Sequence, residues 1–382
     1  MGFVTTKGTE FYRDGKVYLI KSANYWQGMN LGATKEYGGD RERLVKELDQ
    51  MKAMGVNNLR VMASSEGPDD QPFRMRPSMQ PAPGQYNEHI FEGLDYLLHE
   101  MGKRDMTAVM TLNNFWHWSG GFGQYIAWIT NETIPYPSEG DWDTFTNFGR
   151  RFYTDASVSD KANRLYRDHI RWQLANEPQL GTPVWFEETA KFIKQGASHQ
   201  LVSAGIESKV NVTDFNNAHR PRYVDYCTCH CWVENWGEYN ASDPSKASLE
   251  NAKKFATNFI KTRGEWATSV KKPIIMEEFG MARDAWRKPS DLDYKYLPST
   301  PTSHKDEYYA TVFRQIEQTP IFAGDGFWAY GGLGRSTDQP NAFNMTWLGD
   351  PPHEPKGWYS VYNNDTTVAV IKAHFERLDH KI

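Results

Sequence analysis

Short apolar runs alternate along this chain with longer segments in which apolar residues recur every three or four positions. The short runs are VYLIKSANY (17–25), NNLRVMAS (57–64), TAVMTLNNF (107–115) and IRWQLANEP (170–178). LVSAGIES (201–208), YCTCHCW (226–232), PIIMEEFG (273–280) and GDGFWAYG (324–331) follow. Most lack strict polar alternation, which is the pattern of parallel strands buried on both faces. Between the first two, Asp40 can cap a helix whose face is Leu44, Leu48, Met51 and Met54, closed by Gly55. Ile90, Leu94, Leu97 and Met101 repeat the plan before Gly102, and Phe186, Ala190 and Ile193 do so before Gly196. TTVAVIKAHFERL near the C-terminus reads as a last helix.

Eight strand candidates with intervening helices predict an α/β fold, a (β/α)8 TIM barrel forming one catalytic domain over residues 1–382. A doubly wound open sheet is the alternative. It would want a G-x-G-x-x-G turn after an early strand, and none is found there. Two segments rich in Pro and polar residues, 62–90 and 283–304, follow strand candidates. In a barrel the loops after the strands build the functional face, so these segments are expected to wall a cleft.

Composition narrows the ligand. Net charge is −5, without a basic surplus for nucleic acid. No apolar run approaches the roughly 20 residues of a membrane helix. The first residues lack the apolar core of a signal peptide. The chain is expected in the cytoplasm if complete and outside the cell if a leader was removed. The excess is aromatic: 14 Trp, 20 Tyr and 20 Phe. Many Trp sit beside Gly, Asn and His, as in NYWQGMNLG and NNFWHWSGG, where flat faces suit sugar rings. Cys227, Cys229 and Cys231 would share one face of a strand and His230 the other, so they do not converge as zinc ligands.

At the C-terminal ends of the strand candidates lie Trp26, Arg60, Trp116, Asn176, Glu177, His230, Trp232, Glu277, Glu278 and Trp328. A barrel would bring them together. Two carboxylates facing across a pocket are what glycoside hydrolysis uses: one protonated to release the leaving oxygen, one ionised. Arg60 near the strand-seven carboxylate would keep it charged, while burial and like-charge repulsion would raise the pKa of Glu177. Of the adjacent Glu277 and Glu278, strand alternation normally lets only one face the axis.

ANEP, HCW, EEFG and FWAYGG, in this order, resemble family 5 glycoside hydrolases, which are retaining (β/α)8 enzymes. LNNFWHWSGGFGQYIAW and YWQGMNLG are similar to the β-mannanase and β-mannosidase branch of that family. The resemblance covers roughly residues 8–335. It implies Glu177 as acid/base and Glu278 as nucleophile. It implies substrate contacts or their support from Arg60, Trp116, Asn176, His230, Trp328 and Trp26. Trp232 stands where the family usually has a Tyr bonded to the nucleophile, and an indole can only donate. A role outside the reacting pair is expected for Glu207. The implied activity is hydrolysis of β-1,4-mannosidic bonds in mannan and manno-oligosaccharides by an endo-acting enzyme that also takes short oligomers. An exo-acting β-mannosidase, a β-1,4-glucanase and a non-catalytic sugar-binding barrel are the alternatives. No metal or organic cofactor, nucleic acid or membrane partner is implied, and a monomer is expected. A retaining pair should stand about 5–5.5 Å apart.

Overall fold

The computed structural model describes residues 2–137, 141–169, 175–287 and 292–380. Three short antiparallel strands come first: β1 (Thr5–Lys7), β2 (Glu10–Arg13) and β3 (Lys16–Val17). Asp14 and Gly15 turn β2 into β3 with φ of 53° and 78°, the left-handed pair such a tight hairpin requires. Phe11 on β2 plugs the base of the barrel, packed in a buried cluster with Ile20, Tyr226, Ile275 and Ala323.

The barrel strands are β4 (Ile20–Asn24), β5 (Asn58–Met62), β6 (Thr107–Thr111), β7 (Cys227–Cys231), β8 (Ile274–Phe279) and β9 (Phe322–Phe327). They form one parallel sheet in the order β6-β5-β4-β9-β8-β7. The ring closes through the other two strand candidates. Asn176 N–H donates to the Asn113 carbonyl at 2.9 Å and Phe115 N–H to the Asn176 carbonyl at 3.0 Å. Glu177 N–H donates to the Gly205 carbonyl at 2.8 Å, and His230 N–H to the Glu207 carbonyl at 3.0 Å. Residues 170–174 of the fourth candidate lie outside the described residues. The fifth candidate, 201–208, is extended chain with a single-residue bridge from Ser203 to Tyr226. A (β/α)8 barrel is therefore the fold.

The helices expected from periodicity form. Arg41–Ala53 starts on Asp40, whose carboxylate accepts the Arg43 N–H at 3.0 Å. Glu88–Lys103 starts on Asn87, and Pro183–Gly196 on Thr182. Gly196 is the last residue of its helix, with Ala197 after it. Between the third and fourth strand candidates stand three helices beyond those expected, Gly121–Thr130, Trp142–Thr154 and Ser159–His169. Their packing is aromatic, with Phe122 stacked on Phe152 at 4.2 Å between centroids. After β9, strands β10 (Tyr330–Gly332) and β11 (Val361–Tyr362) pair in parallel and bracket a long segment. That segment packs on Trp26, His117 and Glu234, residues of three other loops.

The last helix, Thr367–Asp379, is clamped to the barrel base. His374 Nε2 bonds Asp325 of β9 at 2.8 Å and its Nδ1 bonds Glu317 at 2.7 Å, with its ring stacked on Phe313 at 4.0 Å. Burial disfavours the imidazolium, but Asp325 and Glu317 outweigh it and raise the pKa of His374. Burial likewise disfavours the Glu317 carboxylate, but His374 and Arg377 pull its pKa down to about 2. The His374 contribution is full below its unfolded pKa and is lost as pH rises through the folded one. The Glu317 contribution is present above its unfolded value and is lost as pH falls through about 2. Replacing His374 by Ala should cost about 3 kcal/mol in urea unfolding near pH 5.5, and clearly less near pH 9. A pH-independent deficit would mean that the clamp works by packing alone.

Candidate active site

Arg60 enters the axis from β5. Its Nη1 pairs with Glu278 Oε1 and also donates to Asn24 Oδ1 at 3.1 Å, while Nη2 donates to Asn176 Oδ1 at 2.6 Å. Asn24 is oriented in turn by donating Nδ2–H to the carbonyls of Glu277 (2.8 Å) and Phe327 (3.1 Å). Asn176 is fixed the same way: its Nδ2–H donates to Asn114 Oδ1 at 3.0 Å. All these side chains are buried. A buried guanidinium is tolerable only with such a set of anionic and carbonyl partners.

Glu177 follows at a backbone φ of 48°, a left-handed conformation unusual for a residue with a side chain. The turn presents its carboxylate to two donors. His230 Nδ1 donates to Oε1, and the indole Nε1–H of Trp116 donates to Oε2 at 2.5 Å. His230 Nδ1 also lies 3.4 Å from Glu278 Oε2, so one imidazole faces both carboxylates. An oxygen of Glu177, an oxygen of Glu278 and a nitrogen of His230 all lie within 4.8 Å of one another. Three such atoms could in principle share a cation. Here the imidazole is bonded to one carboxylate and Arg60 to the other, which already supplies the positive charge.

Glu277 and Glu278 do not obey simple strand alternation. Cys229 on β7 pairs with Met276, but His230 pairs with Glu278, so the register slips at Glu277. Both carboxylates consequently reach the interior. Glu277 Oε2 lies 3.6 Å from Arg60 Nε and 3.5 Å from His230 Nε2, behind the groups that Glu278 meets in front. On β7 the three cysteines are buried away from the axis: Cys231 accepts a hydrogen bond from Tyr308 of the helix Ser303–Glu317, and His230 takes the axial face.

The protonation pattern differs from the sequence expectation. Burial raises the pKa of Glu177, but the His230 charge and the bonds from His230 and Trp116 more than offset it, and the net shift is downward. Burial raises the pKa of Glu278 and prevails over His230 and Arg60, with the Glu177 charge adding to it. Burial opposes the His230 imidazolium, yet Glu278 and Glu177 carry its pKa up to about 10. The reason for the reversal is the placement of His230, which hydrogen-bonds Glu177 and not only the strand-seven carboxylate. Glu177, His230 and Glu278 lie close enough that a proton gained by one changes the hold of the others on theirs. Glu207, half-buried beside them, is raised to about 8 by burial and by the Glu177 charge, and accepts from Gln179 Nε2 at 2.7 Å.

Aromatic residues enclose this centre. Trp328 meets Trp118 edge-on at 6.3 Å and Trp232 at 5.9 Å. Trp232 packs on Tyr359 at 5.1 Å, and among the described residues no hydrogen bond joins it to Glu278. Trp26 supports the wall from behind: its Nε1–H donates to the Gly349 carbonyl at 2.9 Å and its ring meets Trp118 and Trp347. Trp116 is a donor to Glu177 as well as an aromatic face, stacked over Phe145 at 6.1 Å. The segment between β10 and β11 adds His353, which contacts His117 at 5.2 Å and Trp118 at 6.4 Å.

The family model described as GH family 5 beta-mannosidase-like matches residues 1–171 and 170–382. The chain belongs to this family of glycoside hydrolases. A glycoside hydrolase family 5 mannosidase from Rhizomucor miehei is 57% identical, with a TM-score of 0.96 over 99% of this chain and 98% of that one. A glutamate-to-alanine variant of the Rhizomucor miehei mannosidase, in complex with mannosyl-fructose, is similar at 57% identity and a TM-score of 0.95, covering 99% of this chain and 97% of that one. Mannan endo-1,4-beta-mannosidase 5 of Solanum lycopersicum is 24% identical over 356 residues, 82% of this chain and 77% of that protein.

This family 5 enzyme thus has around its axis Arg60, Asn176, Glu177, His230, Glu278, Trp116, Trp232 and Trp328, with Trp26 one layer back. Asn24 and Asn114 were legible as polar ends of strand candidates and Trp118 as part of the third-strand loop, whereas His353 and Glu354 were missed. His353 and Glu354 lie in a segment with no periodicity, and only TWLGDPPHEPKGWY, dense in Trp and Pro, marks it. Replacing Glu278 by Ala should lower turnover on the order of 10⁴-fold or more, while Glu277→Ala should retain far more activity, down on the order of tenfold. Steady-state rates on a β-mannoside decide it, and the opposite ranking would exchange the two roles.

Proposed function

We propose that the protein hydrolyses β-1,4-mannosidic bonds with retention of configuration, acting on manno-oligosaccharides and on the ends of mannan chains. The carrying observation is the closeness of the two carboxylates: one oxygen of Glu177 and one of Glu278 lie within 4.8 Å of each other, and His230 Nδ1 reaches both groups. Inverting pairs stand about 6.5–9.5 Å apart, to admit a water between carboxylate and sugar. Glu278 attacks the anomeric carbon as that carbon's bond to the leaving oxygen breaks. Glu177 passes to that oxygen the proton that His230 Nδ1 holds against it, and Trp116 keeps its bond to the Glu177 carboxylate throughout. In the second step Glu177 takes a proton from water, whose oxygen replaces Glu278 at the anomeric carbon. Esterification of Glu278 removes one negative charge beside Glu177 and favours its ionised, basic form for that step. Arg60 holds the attacking carboxylate between the two Asn side chains.

The preference for short chains and ends rests on the closed wall. The third-strand loop (His117, Trp118) and the β10–β11 segment (His353) touch beside Trp328 and wall that side of the site. Burial lowers the pKa of His117 and of His353, the latter to about 3, and raises that of Glu354 well above the carboxylate range. Each shift favours the uncharged form of its group. Among the described residues, His117 Nδ1, His353 Nδ1, Glu354 Oε2 and Trp328 Nε1 are buried without hydrogen-bond partners. Such atoms suit the hydroxyls of one enclosed sugar. Internal cleavage of mannan is the second reading, favoured by the names of relatives such as mannan endo-1,4-beta-mannosidase 4 of Solanum lycopersicum, 26% identical.

Early products from mannohexaose separate the two readings. Mannose and mannopentaose at the first time points support action at ends. Mannobiose and mannotriose without mannose would make the enzyme endo-acting. Equal release of reducing sugar from carboxymethylcellulose and mannan would overturn the mannoside preference itself.

A further inference from the structure

Glu66 has no part in the mechanism above, yet it is one of the most thoroughly buried carboxylates near the site. It lies just beyond β5, and its surroundings are built around the third-strand loop. One carboxylate oxygen accepts the Gly121 N–H at 2.9 Å. Its backbone N–H donates to the Ser119 carbonyl at 2.7 Å, and its own carbonyl accepts from Arg74 Nη1 at 2.8 Å. Arg74 is held by Gln124 Oε1 at 2.6 Å and Tyr136 Oη at 3.0 Å, and the next residue, Met75, donates its N–H to the Trp118 carbonyl at 2.9 Å.

The other side of the contact is equally specific. Gly120 and Gly121 have φ of 95° and 60°. A Cβ on Gly120 would lie 2.1 Å from the Glu66 carbonyl oxygen, and one on Gly121 would lie 2.0 Å from the Asn114 carbonyl oxygen. Only glycine allows the turn to come this close and to aim the Gly121 N–H at the carboxylate. The following Phe122 N–H donates to the Asn114 carbonyl at 2.9 Å, and Asn114 Oδ1 accepts the Trp116 N–H at 3.1 Å. Trp116 ends the path with its indole N–H on Glu177. A buried carboxylate costs free energy, and burial indeed raises the pKa of Glu66 to about 7. Its retention at such a turn calls for a function in holding it.

We propose that Glu66 is a positioning residue for acid catalysis, fixing the Ser119–Gly121 turn and so aiming the Trp116 indole N–H at Glu177. The inference rests on Glu177 being the acid. It makes Glu66 matter most when the leaving oxygen needs a proton. Mannobiose has such a leaving group, and 2,4-dinitrophenyl β-mannoside does not. The ratio of kcat/KM for the two substrates reports the acid-assisted first step in isolation.

Glu66→Ala should lower kcat/KM on mannobiose about tenfold more than on the dinitrophenyl mannoside, in parallel with Trp116→Phe. Glu66→Gln, which keeps a carbonyl to accept the Gly121 N–H, should restore most of the ratio. If the Ala variant does not fold, Glu66→Asp withdraws the oxygen by one methylene and should shift the ratio in the same direction. Equal losses on both substrates, or an unchanged ratio in the folded variants, would overturn the inference. Glu177→Ala is the control. If it too loses both substrates equally, the acid assignment fails; if it is selective while the Glu66 variants are not, only the role of Glu66 fails.

Discussion

Burying a guanidinium at the axis of a barrel sets the terms for everything around it. Arg60 is unfavourable there unless its charge is met, and Glu278, Asn24 and Asn176 meet its two Nη groups from three different parts of the ring, while Nε faces Glu277 at 3.6 Å. Removing one partner from such a buried set costs about 3–5 kcal/mol, because the remaining charge is left unpaired. The strand ends that carry these residues are therefore bound to one another by charge as well as by the sheet. The same constraint aligns the nucleophile candidate. Its carboxylate lies where Arg60 holds it, and His230 closes the other side toward Glu177.

From that centre outward, each layer fixes the one inside it. Trp116 and His230 orient Glu177, and Asn114 orients both Asn176 and the backbone of Trp116. Glu66, Arg74 and the Gly120–Gly121 turn hold the loop that carries Trp116. The β10–β11 segment covers the aromatic wall and brings His353 against His117. Catalytic geometry at a strand end thus depends on loops from neighbouring strands, which is how a barrel places precise chemistry on irregular chain.

Much of this was legible in the chain. Apolar runs ending in Asn, Glu, His or Trp marked strands and their functional ends together, because parallel strands are buried throughout and only their exits meet the cleft. Other features were illegible for physical reasons. A period of two cannot reveal the register slip that lets both Glu277 and Glu278 face inward. Which carboxylate His230 bonds depends on side-chain placement that no sequence pattern encodes, and that choice reversed the expected pKa order of Glu177 and Glu278. The cover at 333–360 has no period, because it packs on loops instead of on one flat layer. The helix Trp142–Thr154 had a helical signal, Phe145, Phe148 and Phe152 on one face, that the strand-by-strand reading missed. The N-terminal hairpin did carry a signal, the Asp14-Gly15 turn, that the strand-by-strand reading passed over.

The proposed double displacement depends on two close carboxylates, Glu177 and Glu278. The most direct measurement is proton NMR of the anomeric signals during the first minutes of p-nitrophenyl β-mannoside hydrolysis, before mutarotation mixes the forms. β-Mannose appearing first, with α-mannose growing in later, is the predicted result. α-Mannose as the first product would contradict the mechanism and the roles of Glu177 and Glu278 together.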